Sequence, residues 1–349
     1  MSTNIKYRVL GVMSGTSLDG IDLAICNFKK NINWEFEIEK SKTLKYSKYW
    51  QKTLINLHTK NKNEISKINI EYGKFLGKTI TLFLKNETVD FISCHGHTIF
   101  HQPKNNFTLQ IGDGKTIANL TKIKTINNFR NLDITLNGEG APLVPIGDIH
   151  LFSEYKYCVN LGGFANISVK EKNAITAFDI CPVNIKMNHI SKGLGFEFDK
   201  NGNIAKKGKI ISVLLKQLNN LSFYKQTAPK SLSREWVEKY IDPLILNQYK
   251  AEDILHTFCE HIAIQIGYHL KDKSTLFTGG GALNTYLMSR ISHYSKSKIF
   301  IPNHQIINFK EALIFGFLGV LKIRNEINTL KSVTGAKKDS CGGEINNPM

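Results

Sequence analysis

The sequence predicts an α/β protein of two lobes with a central cleft, in which each lobe is built on a βββαβ motif. The chain has 349 residues, more than one hydrophobic core usually accommodates, which favours about two domains. Near Tyr155 the order of strands and turns seen at the N-terminus starts again, and glycine-rich turns follow strands in both halves. We therefore expect one lobe over residues 1–150, joined by the C-terminal helix at about 310–349, and a second lobe over residues 151–309.

The first half of the chain predicts three strands, two helices and a fourth strand. Polar and apolar residues alternate in the opening strand, and apolar residues recur at helical spacing in the longer helix. The predicted elements are strands at Tyr7–Met13, Ile21–Phe28 and Trp34–Tyr46, helices at Lys48–Thr59 and Glu64–Leu84, and a strand at Val89–Cys94.

The second half predicts the same order again, followed by a buried helix. The last helix is apolar on nearly all sides, which is typical of a helix surrounded by protein. The tail after Thr334 is rich in Gly and Lys, and we expect it to be loose. The predicted elements are strands at Lys156–Leu161, Asn166–Lys170 and Ala174–Ile180, helices at Lys209–Leu218 and Ala251–Leu270, a strand at Ser274–Phe277 and a helix at Lys310–Asn325.

Composition narrows the class of protein. No apolar run approaches the roughly 18 residues of a membrane span, and the N-terminus lacks the pattern of an export signal. The six cysteines are scattered without C-x-x-C pairing, which favours a reducing compartment, so we expect a cytoplasmic protein. The net charge is +17, but only five residues are arginine and the lysines are spread over the whole chain. This distribution favours a solvated surface over a nucleic-acid groove.

The first motif that carries chemistry is the turn in GVMSGTSLDGID, residues Gly11–Asp22. Glycines allow close approach of an anion to the backbone, and successive N–H groups with the hydroxyls of Thr16 and Ser17 form an anion site. The alternative is an ordinary hairpin turn. Because a hairpin needs neither two hydroxyls nor two acids, we favour a phosphate-binding turn.

Two further glycine turns follow strands in the second half. Gly162 and Gly163 form a turn at the place equivalent to the first motif, where a phosphate site and a structural hairpin remain equally open. Gly279, Gly280 and Gly281 follow a strand and open a helix, as a nucleotide-contacting turn does. No G-x-G-x-x-G dinucleotide fingerprint is present in the sequence.

Two other patterns resemble known sites without completing them. Gly112–Thr116 ends in G-K-T, but Leu109 stands where a P-loop needs its first glycine. The second pattern is a group of potential metal ligands without a partner cluster at zinc spacing, so we expect no protein metal site there. These potential ligands are Cys94, His95, His97 and His101.

Asp179 and Arg130 are the charged candidates. Asp179 follows the apolar strand Ile175–Phe178, and Cys181-Pro182 must then turn the chain away. The residues leave two interpretations open, an acid facing the cleft and a helix N-cap. Arg130 suits a bidentate contact to a substrate carboxylate or a buried structural ion pair.

Several segments resemble one family within the actin, hexokinase and Hsp70 nucleotide-binding superfamily, the anhydro-N-acetylmuramic acid kinases. They occur in order over nearly the whole chain, and GTSLDG followed by GAPLVP is the specific combination. The segments are GVMSGTSLDGID (Gly11–Asp22), HGHTIFHQP (His95–Pro103), LQIGDG (Leu109–Gly114), GEGAPLVPIGD (Gly138–Asp148), NLGGFANIS (Asn160–Ser168), GGGALN (Gly279–Asn284), KEALIFG (Lys310–Gly316) and SVTGA (Ser332–Ala336).

The resemblance implies an actin-like, ribonuclease H-like ATPase fold and an ATP- and Mg²⁺-dependent sugar kinase. Such an enzyme converts 1,6-anhydro-N-acetylmuramic acid and water into N-acetylmuramic acid 6-phosphate during cell-wall recycling. Asp179 would activate the water, Arg130 would orient the sugar's acidic side chain, and Glu311 would help to close the site. The predicted nucleotide contacts are Gly15, Thr16, Ser17, Leu18, Asp19, Gly20, Ile21, Asp22, Gly162 and Gly163 for the phosphates, and Gly279, Gly280, Gly281 and Ala282 for the adenosine side.

The sequence departs from the family pattern in two places. The family commonly has D-T-G-P-G-N where this chain has Asp179-Ile180-Cys181-Pro182-Val183-Asn184, which retains the acid and changes its surroundings. His97 stands where glutamine is more usual, and we expect it to contact the sugar. The alternative functions are a kinase for another amino sugar and an ATP-gated binding or assembly protein. The expected partners are a small sugar and a second copy of the chain, with neither nucleic acid nor membrane.

Overall fold

The computed structural model describes residues 5–15, 18, 20–172, 174–246 and 248–349, and it divides the chain into two compact units. Unit 1 contains the chain up to Leu151 together with Phe309–Met349, and unit 2 is Phe152–Asn308.

Unit 1 begins with three strands, two helices and a fourth strand, as the sequence predicts. The elements up to Leu151 are β1 (Ile5–Ser14), β2 (Ile21–Lys30), β3 (Trp34–Leu44), α1 (Lys48–Asn56), α2 (Lys62–Leu84), β4 (Phe91–Gln102), β5 (Phe107–Ile111), α3 (Gly114–Thr121), β6 (Thr125–Asn127), α4 (Asn131–Thr135) and α5 (Pro145–Leu151).

Unit 2 repeats three strands before its helices. Its elements are β7 (Tyr157–Leu161), β8 (Phe164–Lys170), β9 (Ile175–Pro182), α6 (Asn184–Gly193), α7 (Ser212–Asn219), α8 (Arg234–Tyr240), α9 (Ala251–His269), β10 (Ser274–Thr278), α10 (Thr285–Tyr294) and β11 (Lys298–Phe300). The chain then continues through α11 (His304–Ile323), α12 (Lys331–Thr334) and β12 (Glu344–Asn346).

The two sheets share one strand order. In unit 1 the order is β3-β2-β1-β4-β6, with β12 beside β6 and β5 paired to β4; in unit 2 it is β9-β8-β7-β10-β11. In both sheets the first three strands are antiparallel and the next strands run parallel to the first. The predicted α/β class and its duplicated βββαβ motif are therefore confirmed. The carboxyl ends of the parallel strands lie at one edge of each sheet, where α/β proteins bind ligands.

The central strand β1 is buried on both faces. Its residues Leu10 and Val12 pack with Tyr72 and Leu76 of α2 in one apolar cluster. A Cβ atom on Gly11 would lie only 2.0 Å from the carbonyl oxygen of a residue in α11, so glycine is required for this close helix–strand contact. Burial on both faces explains why the alternation at the start of this strand gives way to a continuous apolar run over residues 9–13.

Most apolar side chains of helix α11 are buried within unit 1. Phe317 packs against the rings of Phe28 and Trp34, and Phe315 packs against Phe129. The side chains that made this helix apolar on all sides are buried in the chain itself. They therefore do not provide a surface for the predicted homodimer, which stays a prediction.

The expectation of a loose tail after Thr334 is wrong. The buried amide of Asn328 donates hydrogen bonds to the carbonyls of Leu318 and Gly342 at 3.2 and 3.0 Å, and it accepts one from the N–H of Gly342 at 2.7 Å. Strand β12 then pairs antiparallel with β6. Long-range contacts thus order a segment whose composition resembles a linker.

Among the residues that the structure describes, no helix is both long and apolar enough to cross a membrane. The six cysteines are unpaired thiols, and five of them are buried.

Candidate functional site

The first predicted phosphate turn follows β1 at the carboxyl edge of the sheet in unit 1. Thr16, Ser17 and Asp19 lie outside the described residues. Leu18 has a positive φ of 59°, a conformation that costs a bulky residue on the order of 1–3 kcal/mol and that recurs at ligand sites. Its N–H bonds to the carbonyl of Gly15 at 3.4 Å. The backbone is therefore strained at Leu18.

A buried network of polar side chains surrounds Ser14, at the end of β1 and just before this turn. The hydroxyl of Ser14, at the end of β1, lies 2.6 Å from the hydroxyl of Tyr46 and 2.9 Å from Nδ1 of His97, and it accepts a hydrogen bond from Tyr72 at 3.1 Å. Burial lowers the pKa of His97 to about 4, so its ring is neutral at pH 7. The structure thus places His97 beside Ser14, just before the predicted phosphate turn. The predicted contact of His97 with the sugar stays a prediction.

The remaining described residues of this motif have different structural roles. A Cβ atom on Gly20 would lie 2.5 Å from the carbonyl oxygen of Leu44, so packing of the chain already requires glycine there. Ile21 is fully buried in the core. Asp22 accepts a hydrogen bond from the hydroxyl of Thr43 at 2.5 Å. Asp22 is therefore the carboxylate that the described part of the motif offers to a ligand.

Arg130 is held in place by two groups of unit 1. Its Nε and Nη2 atoms lie 3.1 and 3.0 Å from Nε2 of His95, and its Nη1 donates to the carbonyl of Gly140 at 2.7 Å. Because Nε2 of His95 accepts from Arg130, its Nδ1 carries the proton and donates to the carbonyl of Gly96 at 2.9 Å. Burial and the charge of Arg130 hold the pKa of His95 well below its usual value. His95 is thus a neutral anchor for Arg130.

A second anchor acts through Gly140. The buried carboxylate of Asp133 accepts hydrogen bonds from the N–H of Gly140 and from the hydroxyl of Thr334, both at 2.7 Å. The carbonyl of Gly140 then accepts the hydrogen bond from Arg130. This Thr334–Asp133–Gly140–Arg130 relay ties the C-terminal part of unit 1 to the arginine.

Glu311 lies in α11 and keeps contact with solvent. Partial loss of hydration raises the pKa of its carboxyl group, the guanidinium of Arg130 opposes that rise, and the negative charge of Asp22 adds to it. These charges act on one another, so Glu311, Arg130 and Asp22 share one charged neighbourhood of unit 1. The guanidinium suits an anionic group, whereas the two carboxylates suit hydroxyl donors or a cation.

In unit 2 the two glycine turns lie side by side at the carboxyl edge of the sheet. They follow the neighbouring parallel strands β7 and β10, whose Asn160 and Thr278 are in register. Gly279 has a φ of 80°, and Cβ atoms on Gly279 or Gly281 would lie 2.8 Å from atoms of Leu161. Folding alone therefore explains these two glycines. Ala282 is buried.

Gly163 and Gly280 differ because the chain itself leaves room beside them. A Cβ atom on Gly280 would meet nothing within 4 Å, and on Gly163 the nearest atom would be 3.8 Å away. Neither has a positive φ. Contacts within the chain do not demand glycine at these two positions, whereas close approach by a ligand would. A Cβ atom on Gly162 would lie 3.3 Å from the side-chain amide nitrogen of Asn160, a close contact, so packing within the chain already favours glycine there.

Asp179 is not at the end of its strand, because β9 continues to Pro182. The interpretation as a helix N-cap is wrong, since α6 begins at Asn184 with Val183 at its N-cap position. A β-bulge lies beside Asp179, because the register shifts between Ala165 and Asn166, the partner of Asp179. Bulges of this kind re-aim side chains next to active sites.

The half-buried carboxylate of Asp179 is anchored by one oxygen. Its Oδ2 accepts a hydrogen bond from the N–H of Leu232 at 2.8 Å, and its own N–H donates to the carbonyl of Lys230 at 3.0 Å. Burial raises the pKa of Asp179, and the bond from Leu232 lowers it by a smaller amount. A carboxylate with a raised pKa is a better proton acceptor, as a general base must be.

The possible metal ligands Cys94, His95, His97 and His101 have other partners. His95 contacts Arg130, His97 contacts Ser14, and Nδ1 of His101 lies 3.1 Å from the hydroxyl of Thr108. No group of three or more metal-ligating side chains occurs among residues 5–15, 18, 20–172, 174–246 and 248–349.

Comparison with known proteins decides the family. The family model for anhydro-N-acetylmuramic acid kinase matches residues 7–348. The chain belongs to this family. Among its relatives, an anhydro-N-acetylmuramic acid kinase of Francisella tularensis subsp. novicida is 34% identical, covering 98% of each chain. One of Bacillus cereus is 30% identical over 97% of this chain and 99% of its own length.

Solved structures of other proteins show a more distant likeness. The activator of 2-hydroxyisocaproyl-CoA dehydratase from Clostridium difficile with bound ADPNP is 14% identical with a TM-score of 0.46, covering 91% of this chain and 97% of its own. A putative N-acetylmannosamine kinase from Listeria monocytogenes is 10% identical with a TM-score of 0.39, covering 90% of this chain and 99% of its own.

The segment in which this chain departs from the anhydro-N-acetylmuramic acid kinase pattern has a defined structure. The carbonyl of Gly162 accepts a hydrogen bond from Asn184, and that of Gly163 accepts from Val183 and Ile185. The altered residues therefore fasten the start of α6 to the glycine turn. Since these N–H groups donate to the carbonyls of the glycine turn, they are not available to a phosphate.

Sequence reasoning missed the supporting residues of this kinase family member. His95, Ser14 and Leu232 each form a hydrogen bond with a predicted site residue, and Asp133 acts on Arg130 through Gly140. The alternation of β4 hinted at His95 and His97, which share one face of that strand. The hydrogen bonds between Asp133 and Thr334 and between Leu232 and Asp179 join residues far apart in the chain, so no local pattern could indicate them.

The glycines of the third turn offer a matched pair of variants. Gly280→Ala is expected to leave the free energy of unfolding within about 0.5 kcal/mol, because its Cβ atom meets open space. Gly279→Ala is expected to destabilise by about 1–3 kcal/mol, because its positive φ is strained for alanine. Urea unfolding measures both, and isothermal titration with ATP then tests whether Gly280→Ala weakens nucleotide binding. Unchanged ATP affinity in Gly280→Ala would remove Gly280 from the nucleotide site.

Proposed function

We propose that the chain is an ATP-dependent kinase that converts 1,6-anhydro-N-acetylmuramic acid and water into N-acetylmuramic acid 6-phosphate and ADP, in cell-wall recycling. Family membership over residues 7–348 supports this activity. The observation that carries it is the carboxylate of Asp179, anchored by one oxygen and raised in pKa, on strand β9, whose end pairs with the start of β8 next to the Gly162–Gly163 turn.

The reaction requires two coupled substitutions. Asp179 accepts a proton from water, and the water oxygen attacks the anomeric carbon of the sugar. The bond between that carbon and O6 breaks, and the freed O6 attacks the γ-phosphorus of ATP, which releases ADP. Phosphoryl transfer depends mainly on positioning and charge stabilisation, so the protein needs one base and a rigid phosphate cradle.

The sugar carries a carboxylate, and Arg130 suits its recognition. The guanidinium is fixed by His95 and Gly140, so it is oriented before the sugar binds. Glu311 in the same neighbourhood can accept hydrogen bonds from sugar hydroxyls. We assign the phosphates to the Gly15–Asp22 turn and to Gly162–Gly163, and the adenosine to the Gly279–Ala282 turn. The room beside Gly163 and Gly280 supports the assignment of those two.

Mg²⁺ fits the donor chemistry of unit 1. This ion binds through one or two carboxylates together with substrate phosphates and water, rather than through a dense protein cluster. Asp22 and Glu311 are the carboxylates of unit 1 that would hold it. When bound, the ion neutralises charge on the phosphates of ATP. The thiols of the six cysteines support our proposal that the enzyme works in the cytoplasm.

A single isotope experiment tests the function. Purified protein is incubated with ATP, Mg²⁺ and 1,6-anhydro-N-acetylmuramic acid in ¹⁸O-water, and the product is analysed by mass spectrometry. We expect a phosphosugar with one ¹⁸O atom on the anomeric carbon and one ADP per sugar. A product without the label would contradict the attack of water, and preference for a sugar without the anhydro bridge would identify another amino-sugar kinase.

A further inference from the structure

At the edge of the sheet in unit 2, the segment of residues 230–232 forms hydrogen bonds with β9 beside Asp179. Strand β9 is the last strand of that sheet, so among the described residues one side of it has no strand partner. Lys230 and Leu232 cover this side at one point, because the N–H of Asp179 donates to the carbonyl of Lys230 and the N–H of Leu232 donates back to Oδ2 of Asp179. The two bonds measure 3.0 and 2.8 Å and fix both the backbone and the side chain of Asp179.

The two oxygens of this carboxylate therefore differ. Oδ2 receives the N–H of Leu232, whereas within the part of the chain that the structure describes no donor contacts Oδ1. A carboxylate held by a main-chain N–H keeps its plane and cannot exchange its oxygens by rotation without losing that bond. Oδ1 is therefore the oxygen whose lone pairs are both available to a water molecule.

The titratable side chains near Asp179 do not take the place of the hydrogen bond from the N–H of Leu232. Lys230 turns its ammonium group to the carbonyl of Phe223 at 3.3 Å and to the rings of Phe178 and Phe223. On β9 itself, burial raises the pKa of the Cys181 thiol, so Cys181 is neutral at pH 7. From α9, His269 packs its ring against Phe178, and burial lowers its pKa to about 4.

We propose that the main-chain N–H of Leu232 is a positioning group for Asp179, which fixes Oδ2 so that Oδ1 accepts the proton from water. The kinetic part of this inference rests on the proposed function, whereas the structural part does not. Loss of the N–H has two consequences, a misplaced base and a higher pKa of Asp179, because a hydrogen bond to the charged carboxylate stabilises it.

The test removes one N–H group and retains the side chain. Leu232 is replaced by its α-hydroxy analogue, 2-hydroxy-4-methylpentanoic acid, which turns the amide N–H into an ester oxygen. Leu232→Pro removes the same N–H by ordinary mutagenesis. Leu232→Ala is the matched control, because it retains the N–H and shortens the side chain. Circular dichroism and thermal unfolding of all three confirm that the fold is retained.

The first measurement needs no substrate. The carboxyl carbons of the aspartates are labelled with ¹³C, the Asp179 signal is assigned by its loss in Asp179→Asn, and its pKa is read from the pH titration. We expect the ester variant to raise that pKa by about one unit, the usual effect of one hydrogen bond to a charged group, and the alanine variant to leave it unchanged. An unchanged pKa in the ester variant would overturn the proposal.

The second measurement is the pH profile of kcat with the anhydro sugar. The base must be deprotonated, so the rate falls as the pH drops through the pKa of Asp179, and loss of the N–H moves this fall to higher pH. We expect kcat to be about 10- to 100-fold lower at the plateau, with the KM for ATP unchanged. If the ester variant raises the pKa of Asp179 but the unmodified protein has no kinase activity, the positioning role stands and the proposed function is refuted. If the unmodified protein is an active kinase but the ester variant leaves the pKa of Asp179 unchanged, the proposed function stands and the positioning role is refuted.

Discussion

Asp179→Asn is expected to lower kcat by about 10²–10⁴-fold, the usual contribution of a general base, while ATP still binds. Asparagine retains the shape of the side chain, and its carbonyl oxygen can still accept the N–H of Leu232, so the bulge in β9 has no reason to move. The amide cannot take a proton from water. Stopped assays of ADP release give kcat, and isothermal titration gives the affinity for ATP.

Asp272→Asn is the matched control for this variant. Asp272 is an exposed aspartate of unit 2, and the same substitution there is expected to leave kcat unchanged. The melting temperatures of both variants are compared with that of the unmodified protein. If Asp179→Asn retains full turnover, Asp179 is not the base and the proposed mechanism fails.

Lys310→Met is expected to lower the free energy of unfolding by about 3–5 kcal/mol, because it leaves a buried carboxylate without its cation. The ammonium of Lys310 lies 2.7 Å from Oδ1 of Asp148, and the two side chains are only 7% and 2% exposed. This pair joins the start of α11 to α5 within unit 1. Its loss therefore destabilises the helix segment that carries Glu311.

Urea unfolding measures this effect best when the signal comes from unit 1 alone. The chain has three tryptophans; Trp34 and Trp50 belong to unit 1, so a Trp236→Phe background restricts the fluorescence change to that unit. The exposed pair Lys60–Glu64 supplies the control, and Lys60→Met is expected to change stability by less than about 1 kcal/mol. Replacing both members, as Lys310→Met with Asp148→Leu, is expected to restore most of the loss. Equal effects of Lys310→Met and Lys60→Met would show that burial does not govern this pair.

The order of strands and helices along the chain could be predicted from the sequence because local patterns determine it. Alternation in β1, helical spacing in α2 and α9, and the restart near Tyr155 each depend on neighbouring residues. The ends of elements were less accurate. Strand β4 runs on to Gln102, well beyond the predicted end at Cys94, because pairing with β5 extends it.

The sequence predicts a set of candidate site residues, whose roles stay predictions, but it does not predict their geometry. The position of Asp179 within β9, rather than at its end, depends on a bulge against Asn166 and on a segment more than fifty residues away. The anchoring of Arg130 by His95 spans 35 residues. Such contacts arise from tertiary packing, which overrides local propensity and leaves no periodic signal in the chain.

The hydrogen bond from Thr334 to Asp133 also constrains how the protein is made. The two residues are 201 positions apart, and all of unit 2 is synthesised between them. Domains usually fold in the order in which they leave the ribosome, but here the first unit begun is the last that can be completed. Unit 2 is one uninterrupted stretch of chain. It can therefore fold before Thr334 is synthesised and forms the hydrogen bond to Asp133 that anchors Arg130 through Gly140.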